Sequence, residues 1–165
     1  MVSFYHNENM PLTIIALGSN IGDRARNFHI AIRYINRYIG QIIYQAPCYE
    51  SMPMYYLKQR DFLNTVVVVN SRLKVFPLLK RLKYIEKHMG RIKVIDNAPR
   101  LIDLDIIYYA GKVIKTNGLK IPHQKMRERS FVMYPLYDAQ QAGFNCFNIS
   151  KSELYKLSKQ GISKL

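Results

Sequence analysis

The run Pro99-Arg100-Leu101-Ile102-Asp103-Leu104-Asp105 holds the sharpest chemistry in the chain. In a strand, alternate side chains share a face, so Asp103 and Asp105 point together while Leu104 points into the core. Two carboxylates one strand step apart make a hard-oxygen site suited to Mg2+. Such a pair can serve two ions about 3.5–4 Å apart, the spacing of two-metal phosphoryl transfer. The same pattern also suits a solvated sheet edge, so the surroundings decide. Arg91 and Lys93 lie upstream, Arg100 stands just before the pair, and Arg127 and Arg129 follow His123. Guanidinium forks match phosphate oxygens two at a time, and lysine adds a point charge. A metal pair facing these cations resembles the frame of a nucleoside-triphosphate site, where catalysis is mostly positioning and charge neutralisation. The competing account is that a strongly basic chain carries arginines over its whole surface.

Other residues add options. His123 follows Pro122 and can donate to a phosphate or simply serve the structure. Nothing pairs it with Ser or Cys in a triad pattern, so nucleophilic hydrolysis is not suggested. Gly18-Ser19-Asn20 lacks the lysine and spacing of a P-loop, and no G-x-G-x-x-G occurs. Gly18 either permits a turn or lets a flat ligand approach the backbone. Phe62 and Phe131 can clamp a planar heterocycle, with the Asn64 amide reading its edge. Core packing is the alternative for either ring.

The elements that must position these groups follow from periodicity. Leu12–Leu17 is an apolar run ended by Gly18-Ser19-Asn20, and reads as a buried strand. Asp23 caps a helix with Phe28, Ala31, Ile32 and Ile35 on one face, closed by Gly40. Gln41–Tyr49 and Phe62–Asn70 read as strands around a loop containing Pro53, and Val75–Met89 as a helix stopped by Gly90. Leu101–Tyr109 is a fourth strand. A turn at Ala110-Gly111-Lys112, a helical stretch after Pro122 and a short helix over Lys151–Leu157 complete the chain. The order β-α-β-β-α-β predicts an α+β, ferredoxin-like sandwich, an antiparallel sheet with helices on one face and additions at the C-terminal end. That fold hosts enzymes and binding modules alike.

Composition narrows the class. The 165 residues suit one domain, expected over 1–165 with 1–10 as a leader. Apolar residues at 48% and charged residues at 22% argue against disorder, and no run approaches the roughly 18 apolar residues of a membrane helix. The first ten residues lack the apolar stretch of a signal peptide. Cys48 and Cys146 are too few for a disulfide framework or a zinc site. A cytoplasmic setting without membrane contact is expected. The 25 Lys+Arg against 11 Asp+Glu leave +14, which points to anionic partners.

Five segments now stand in order: Ala-Leu-Gly-Ser-Asn-Ile-Gly-Asp at 16–23, Asp-Phe-Leu-Asn at 61–64, Ile-Glu-Lys-His-Met-Gly-Arg at 85–91, Pro-Arg-Leu-Ile-Asp-Leu-Asp-Ile at 99–106, and Pro-His-x-x-Met-x-Glu-Arg-Ser-Phe-Val at 122–132. With these motifs the chain resembles the 6-hydroxymethyl-7,8-dihydropterin pyrophosphokinases of folate biosynthesis, from Ile15 to about Asp138. The resemblance implies pyrophosphoryl transfer from ATP to the pterin alcohol, giving AMP and a pterin diphosphate. It implies that Mg-ATP binds first and that the CH2OH oxygen attacks the β-phosphorus. Asp103 and Asp105 would hold two Mg2+ ions. Arg91, Arg100, His123 and Arg129 would hold the triphosphate, Lys93 would take a second basic position, and Glu86 would line the nucleotide side. Phe62 and Phe131 would sandwich the pterin, Asn64 would read its edge, and Ser51 and Met54 would offer backbone groups beside Gly18. There are departures from the family pattern. Gln124 stands where some members have an aromatic, Gly118 and Lys120 replace an Arg and a Thr near the adenine, Met52-Pro53 replaces Pro-Pro, and no Trp is present.

A competing reading from another class is a single-stranded RNA-binding module without catalysis. It rests on the net charge and on Arg127-Glu128-Arg129-Ser130-Phe131-Val132-Met133-Tyr134, which partly overlaps an RNP1 pattern. The pattern lacks its Gly and first aromatic, and carboxylates at 103 and 105 would repel phosphates on such a face unless metal covered them. The expectation is therefore an enzyme acting as a monomer on ATP and the pterin, with no nucleic-acid partner.

Overall fold

The computed structural model describes residues 11–54, 57–91 and 98–165. Lys93 and the rest of 92–97, the leader 1–10, and 55–56 lie outside the described residues.

The architecture is organised by one strand. Val66, Val67, Val68 and Val69 are all fully buried, and alternate members go to opposite sides. Val67 and Val69 pack with one set of apolar side chains, Val66 and Val68 with another. A continuous β-branched run is what a strand covered on both faces requires. Burying each valine contributes about 1.5–3 kcal/mol, so this strand alone commits the sheet to two cores.

The strands are β1 (Leu12–Ser19), β2 (Gly40–Gln45), β3 (Tyr49–Ser51), β4 (Phe62–Ser71), β5 (Asp103–Tyr109), β6 (Ile114–Lys115), β7 (Lys120–Ile121) and β8 (Ile162–Lys164). The main sheet runs β5-β1-β4-β3-β8, with β2 also paired to β4, while β6 and β7 form a separate ribbon. Every pairing is antiparallel. The helices are α1 (Arg24–Tyr38), α2 (Val75–His88), α3 (Ser130–Gln141) and α4 (Lys151–Leu157). The ferredoxin-like α+β arrangement is present.

Asp23 caps α1 as its position suggests, accepting from the Arg26 amide at 2.9 Å. Phe28, Ala31 and Ile35 of α1 and Leu78, Leu82 and Ile85 of α2 cover one face of the sheet. The other face, which sequence left open, is covered by Val132, Met133, Leu136 and Ala139 of α3 and Leu154 of α4. The C-terminal additions are thus a second helical layer, for which Val66 and Val68 supply the apolar ground.

Two strands depart from expectation. The run 41–49 is two strands, because Pro47 has no amide to give the ladder; the gap is bridged by the Ala46 amide to Val66 O (3.0 Å) and Thr65 Oγ1 to Ala46 O (2.8 Å). The edge strand β8 has no apolar periodicity to announce it. Gly161 turns the chain in a left-handed conformation (φ 62°) and lays 162–164 against β3.

Candidate active site

A row of residues crosses the sheet at one end: Asn64 of β4 pairs with Gly18 of β1, and Gly18 pairs with Asp103 of β5. Next along, Ala16 faces Asp105. Gly18 lies where Asn64, Asp103 and Phe62 converge, each within 4.0 Å of where its Cβ would stand. A Cβ on Gly18 would lie 3.4 Å from Asn64 Oδ1, so this floor is nearly flat. Above it opens a cleft of about 780 Å3, a volume that includes the solvent at its open mouth.

One end of the cleft is charged. Asp103 accepts from Arg91 Nη1 at 2.5 Å and, through its other oxygen, from Arg100 Nη1 at 2.6 Å. Burial alone would push this carboxyl upward, but the two guanidiniums outweigh it and hold the group below the usual carboxylate range. Asp105 moves the opposite way: burial and the neighbouring Asp103 charge raise it, against the pull of Lys83, His123 and Arg129. His123, also on the cleft wall, is lowered chiefly by burial. Arg129 borders the same space, and its buried Nε has no hydrogen-bond partner among the described residues. Two carboxylates are a donor set that suits Mg2+, which usually takes one or two acidic side chains and completes its shell with phosphate and water oxygens.

The other end is built for a flat ring. Phe62, Phe131 and Val132 line it, with Ile107 and Leu17 beneath. Asn64 Nδ2 donates to Ser51 Oγ at 3.0 Å, which fixes the amide's orientation at the wall. Met52 and Met54 lie at the mouth, 55% and 39% exposed, as adaptable apolar covers. The two ends are physically joined: the Arg100 guanidinium lies 5.7 Å from the Phe62 ring centroid, and that of Arg129 5.6 Å from Phe131.

The cleft thus gathers Gly18, Ser51, Met54, Phe62, Asn64, Arg100, Asp103, Asp105, His123, Arg129 and Phe131 from the sequence reading. Arg91 stands beside it through Asp103. Glu86 does not line it. Its carboxylate is 3% exposed and lies behind Arg91, accepting from the Leu104 amide at 2.7 Å and pairing with Arg91 (2.5 Å) and Lys83 (3.0 Å). Glu86 is buried off the cleft, whereas Asp103 lines the cleft even with both oxygens bonded to guanidiniums. Burial raises its pKa despite Lys83 and Arg91. Arg127 is likewise elsewhere, paired with Glu153.

Three contributors escaped the sequence reading. Lys83, one of many surface lysines by sequence, reaches to 4.0 Å from Asp105 Oδ1. Its spacing from Glu86 on the helix was the available signal. Asn20, 1% exposed, exchanges bonds with Arg100: its Oδ1 accepts from the Arg100 amide (2.8 Å) and its own amide donates to Arg100 O (3.1 Å). Its Nδ2 also donates to Gln59 Oε1 at 2.9 Å, and Gln59 lines the cleft. An Asn closing a Gly-Ser-Asn strand end was the clue. Lys120 and Gln124, both departures from the family pattern, bond each other at 2.7 Å.

Fold and site together define an α+β domain that can hold a polyanion, through acidic and guanidinium groups, beside a flat ring. The comparisons give that class its family. Residues 14–141 match the family model of 7,8-dihydro-6-hydroxymethylpterin-pyrophosphokinase (HPPK), and the chain belongs to this family. It is 42% identical over 134 residues to the folic acid synthesis protein FOL1 of Dictyostelium discoideum, covering 80% of this chain and 20% of that relative. With the 2-amino-4-hydroxy-6-hydroxymethyldihydropteridine pyrophosphokinase of Bacillus subtilis it shares 36% over 126 residues, 76% of this chain and 75% of the other. The chain thus spans only about a fifth of several larger relatives, including 24% of a folate synthesis bifunctional protein of Pisum sativum. In fold it is similar to the HPPK-DHPS of Plasmodium falciparum solved with pteroate, at TM-score 0.69 and 16% identity over 89% of this chain and 43% of that one. No helix among the described residues is long and apolar enough to cross a membrane.

Proposed function

We propose that this domain transfers a pyrophosphoryl group from ATP to the hydroxymethyl oxygen of 6-hydroxymethyl-7,8-dihydropterin. The alcohol oxygen forms a bond to the β-phosphorus, the bond from that phosphorus to the α,β-bridging oxygen breaks, and AMP leaves as the hydroxyl proton passes to solvent. The observation that carries the reading is the cleft's lining, in which acid and guanidinium groups stand beside two phenylalanines and an oriented amide. A reaction joining a triphosphate to a flat alcohol needs that arrangement.

In this reading Asp103 and Asp105 would hold the two Mg2+ ions, which when bound neutralise charge on the triphosphate. Arg100, Arg129 and His123 hold phosphate oxygens from the cleft walls, and Arg91 acts from behind Asp103. The unpartnered Nε of Arg129 supports this, because a buried guanidinium nitrogen without an acceptor is costly unless an anion arrives. Phe62 and Phe131 hold the pterin, and Asn64 with the Ser51 backbone reads its edge.

Purified protein with Mg2+, ATP and the pterin is expected to yield AMP and pterin diphosphate in equal amounts. Formation of ADP or free phosphate in their place would overturn the reading.

A further inference from the structure

The HPPK family model ends at residue 141, yet the last residues of this chain touch both walls of the substrate cleft. On one side β8 pairs with β3, placing Ile162 opposite Ser51 and Ser163 opposite Glu50. Just before it, Gly161 O accepts from the Met52 amide. On the other side, Gln160 Oε1 accepts from the Ser130 amide at 2.8 Å, and its Nε2 donates to Glu128 O at 2.9 Å. These two bonds straddle Arg129 and precede Phe131 by one residue. The Ser130 amide is one of the free donors at the start of α3, so Gln160 also satisfies a group the helix cannot.

We propose that Gln160 and Gly161 are positioning residues, forming a clamp that holds the Ser51–Met52 wall and the Arg129–Phe131 wall of the cleft in register. The two walls come from segments about 80 residues apart in sequence and sit on different layers, β3 in the sheet and α3 over it. β3 and α3 also meet farther from the cleft, through Tyr49 Oη donating to Asp138 and the Tyr49 and Tyr134 rings, so residues 160 and 161 add the span next to the cleft itself, where a small misplacement loosens the ring between its two faces. Gly161 suits its place because an added Cβ would meet the end of the Met52 side chain and the backbone there is left-handed. Gln160 suits its own because one amide offers both a donor and an acceptor.

The proposal rests on the pyrophosphokinase reading, and the experiment separates the two. Gln160→Ala and Gly161→Ala variants are compared with the parent chain for pterin KM, kcat and ATP-analogue affinity, well below their melting temperatures. Both are expected to raise pterin KM about tenfold while kcat stays within about threefold. Gly161→Ala, which acts on the Met52 side, leaves ATP-analogue affinity within about twofold; Gln160→Ala, which also frees Arg129, weakens it. Pterin KM within about twofold of the parent in both variants overturns the clamp, whatever happens to the melting temperature. If the parent chain makes no AMP, the functional reading fails instead. Hydrogen exchange then judges the clamp: the Met52 amide must exchange faster in Gly161→Ala and the Ser130 amide in Gln160→Ala, and unchanged exchange overturns it.

Discussion

The two ends of the cleft are held in different ways. At the charged end Glu86 and Asp103 are locked by partners that are themselves locked: Glu86 pairs with Arg91 and Lys83, Arg91 and Arg100 bond Asp103, and Asn20 bonds the backbone of Arg100, while Asp105 has Lys83 at 4.0 Å. At the ring end the Asn64 amide donates to Ser51 Oγ and to Phe62 O, the Arg100 and Arg129 guanidiniums lie over the two rings, and the rest is apolar shape. The contrast follows from the forces involved. Charge stabilisation decays with misorientation and demands a preorganised frame, whereas stacking on an apolar wall tolerates small adjustments. A lesion at the charged end should therefore act on turnover and stability, and one at the ring end on substrate affinity.

The strongest way to break that division is Asp105→Asn. Among the described residues the cation within ion-pair distance of Asp105 is Lys83, at 4.0 Å, so its loss removes the proposed metal ligand and little structure. Turnover measured by AMP release should fall by about 1000-fold or more with the far-ultraviolet spectrum unchanged. A loss under tenfold would end the metal assignment. Phe131→Ala tests the opposite end: pterin KM should rise about five- to 100-fold, the scale of removing one stacking face, with ATP-analogue affinity nearly unchanged. Equal losses for both ligands would erase the distinction between ends.

Glu86→Gln probes the frame and not the cleft. Removing one charge from a buried network typically costs about 3 kcal/mol, and here leaves Arg91 and Lys83 underpaired. The melting temperature should drop by roughly 6–12 °C. An unchanged melting temperature would mean that the carboxylate is not what braces this end.

The mildest test is pH. Asp105 is raised, so the folded protein begins to protonate it above the ordinary carboxylate range of about 4, while Asp103 is depressed and stays ionised. Affinity for the Mg-nucleotide should weaken as pH falls through the raised Asp105 range, and Asp105→Asn should remove that dependence. Stability behaves separately. The depressed Asp103 favours folding above the unfolded carboxyl range, and that contribution is lost as pH falls below about 4 through its folded value. Pterin stacking should not share the nucleotide's acid limb.

Much of the site was legible in sequence because its groups sit at fixed spacing on single elements. Asp103 and Asp105 share a face whatever the sheet does next, and Gly18 and Asn64 each close or open a strand whose apolar run is plain. Glu86 was misjudged for the reverse reason. Its helical position was correct, but whether that face met solvent, ligand or the back of β5 depended on how α2 lay against the sheet. Lys83 and Lys80 look alike in the chain; only packing sends one toward Asp105.

Local chemistry thus determined by itself the long strands and helices, the acidic pair, the two rings and the family motifs, since each is written in neighbouring residues. Three-dimensional packing alone decided that the C-terminal helices cover the second face, that Glu86 is buried behind Arg91, and that residues 160–164 reach both walls of the cleft. Those outcomes depend on contacts between residues far apart in the chain, and short polar segments such as β8 carry no periodic signal of where they will dock.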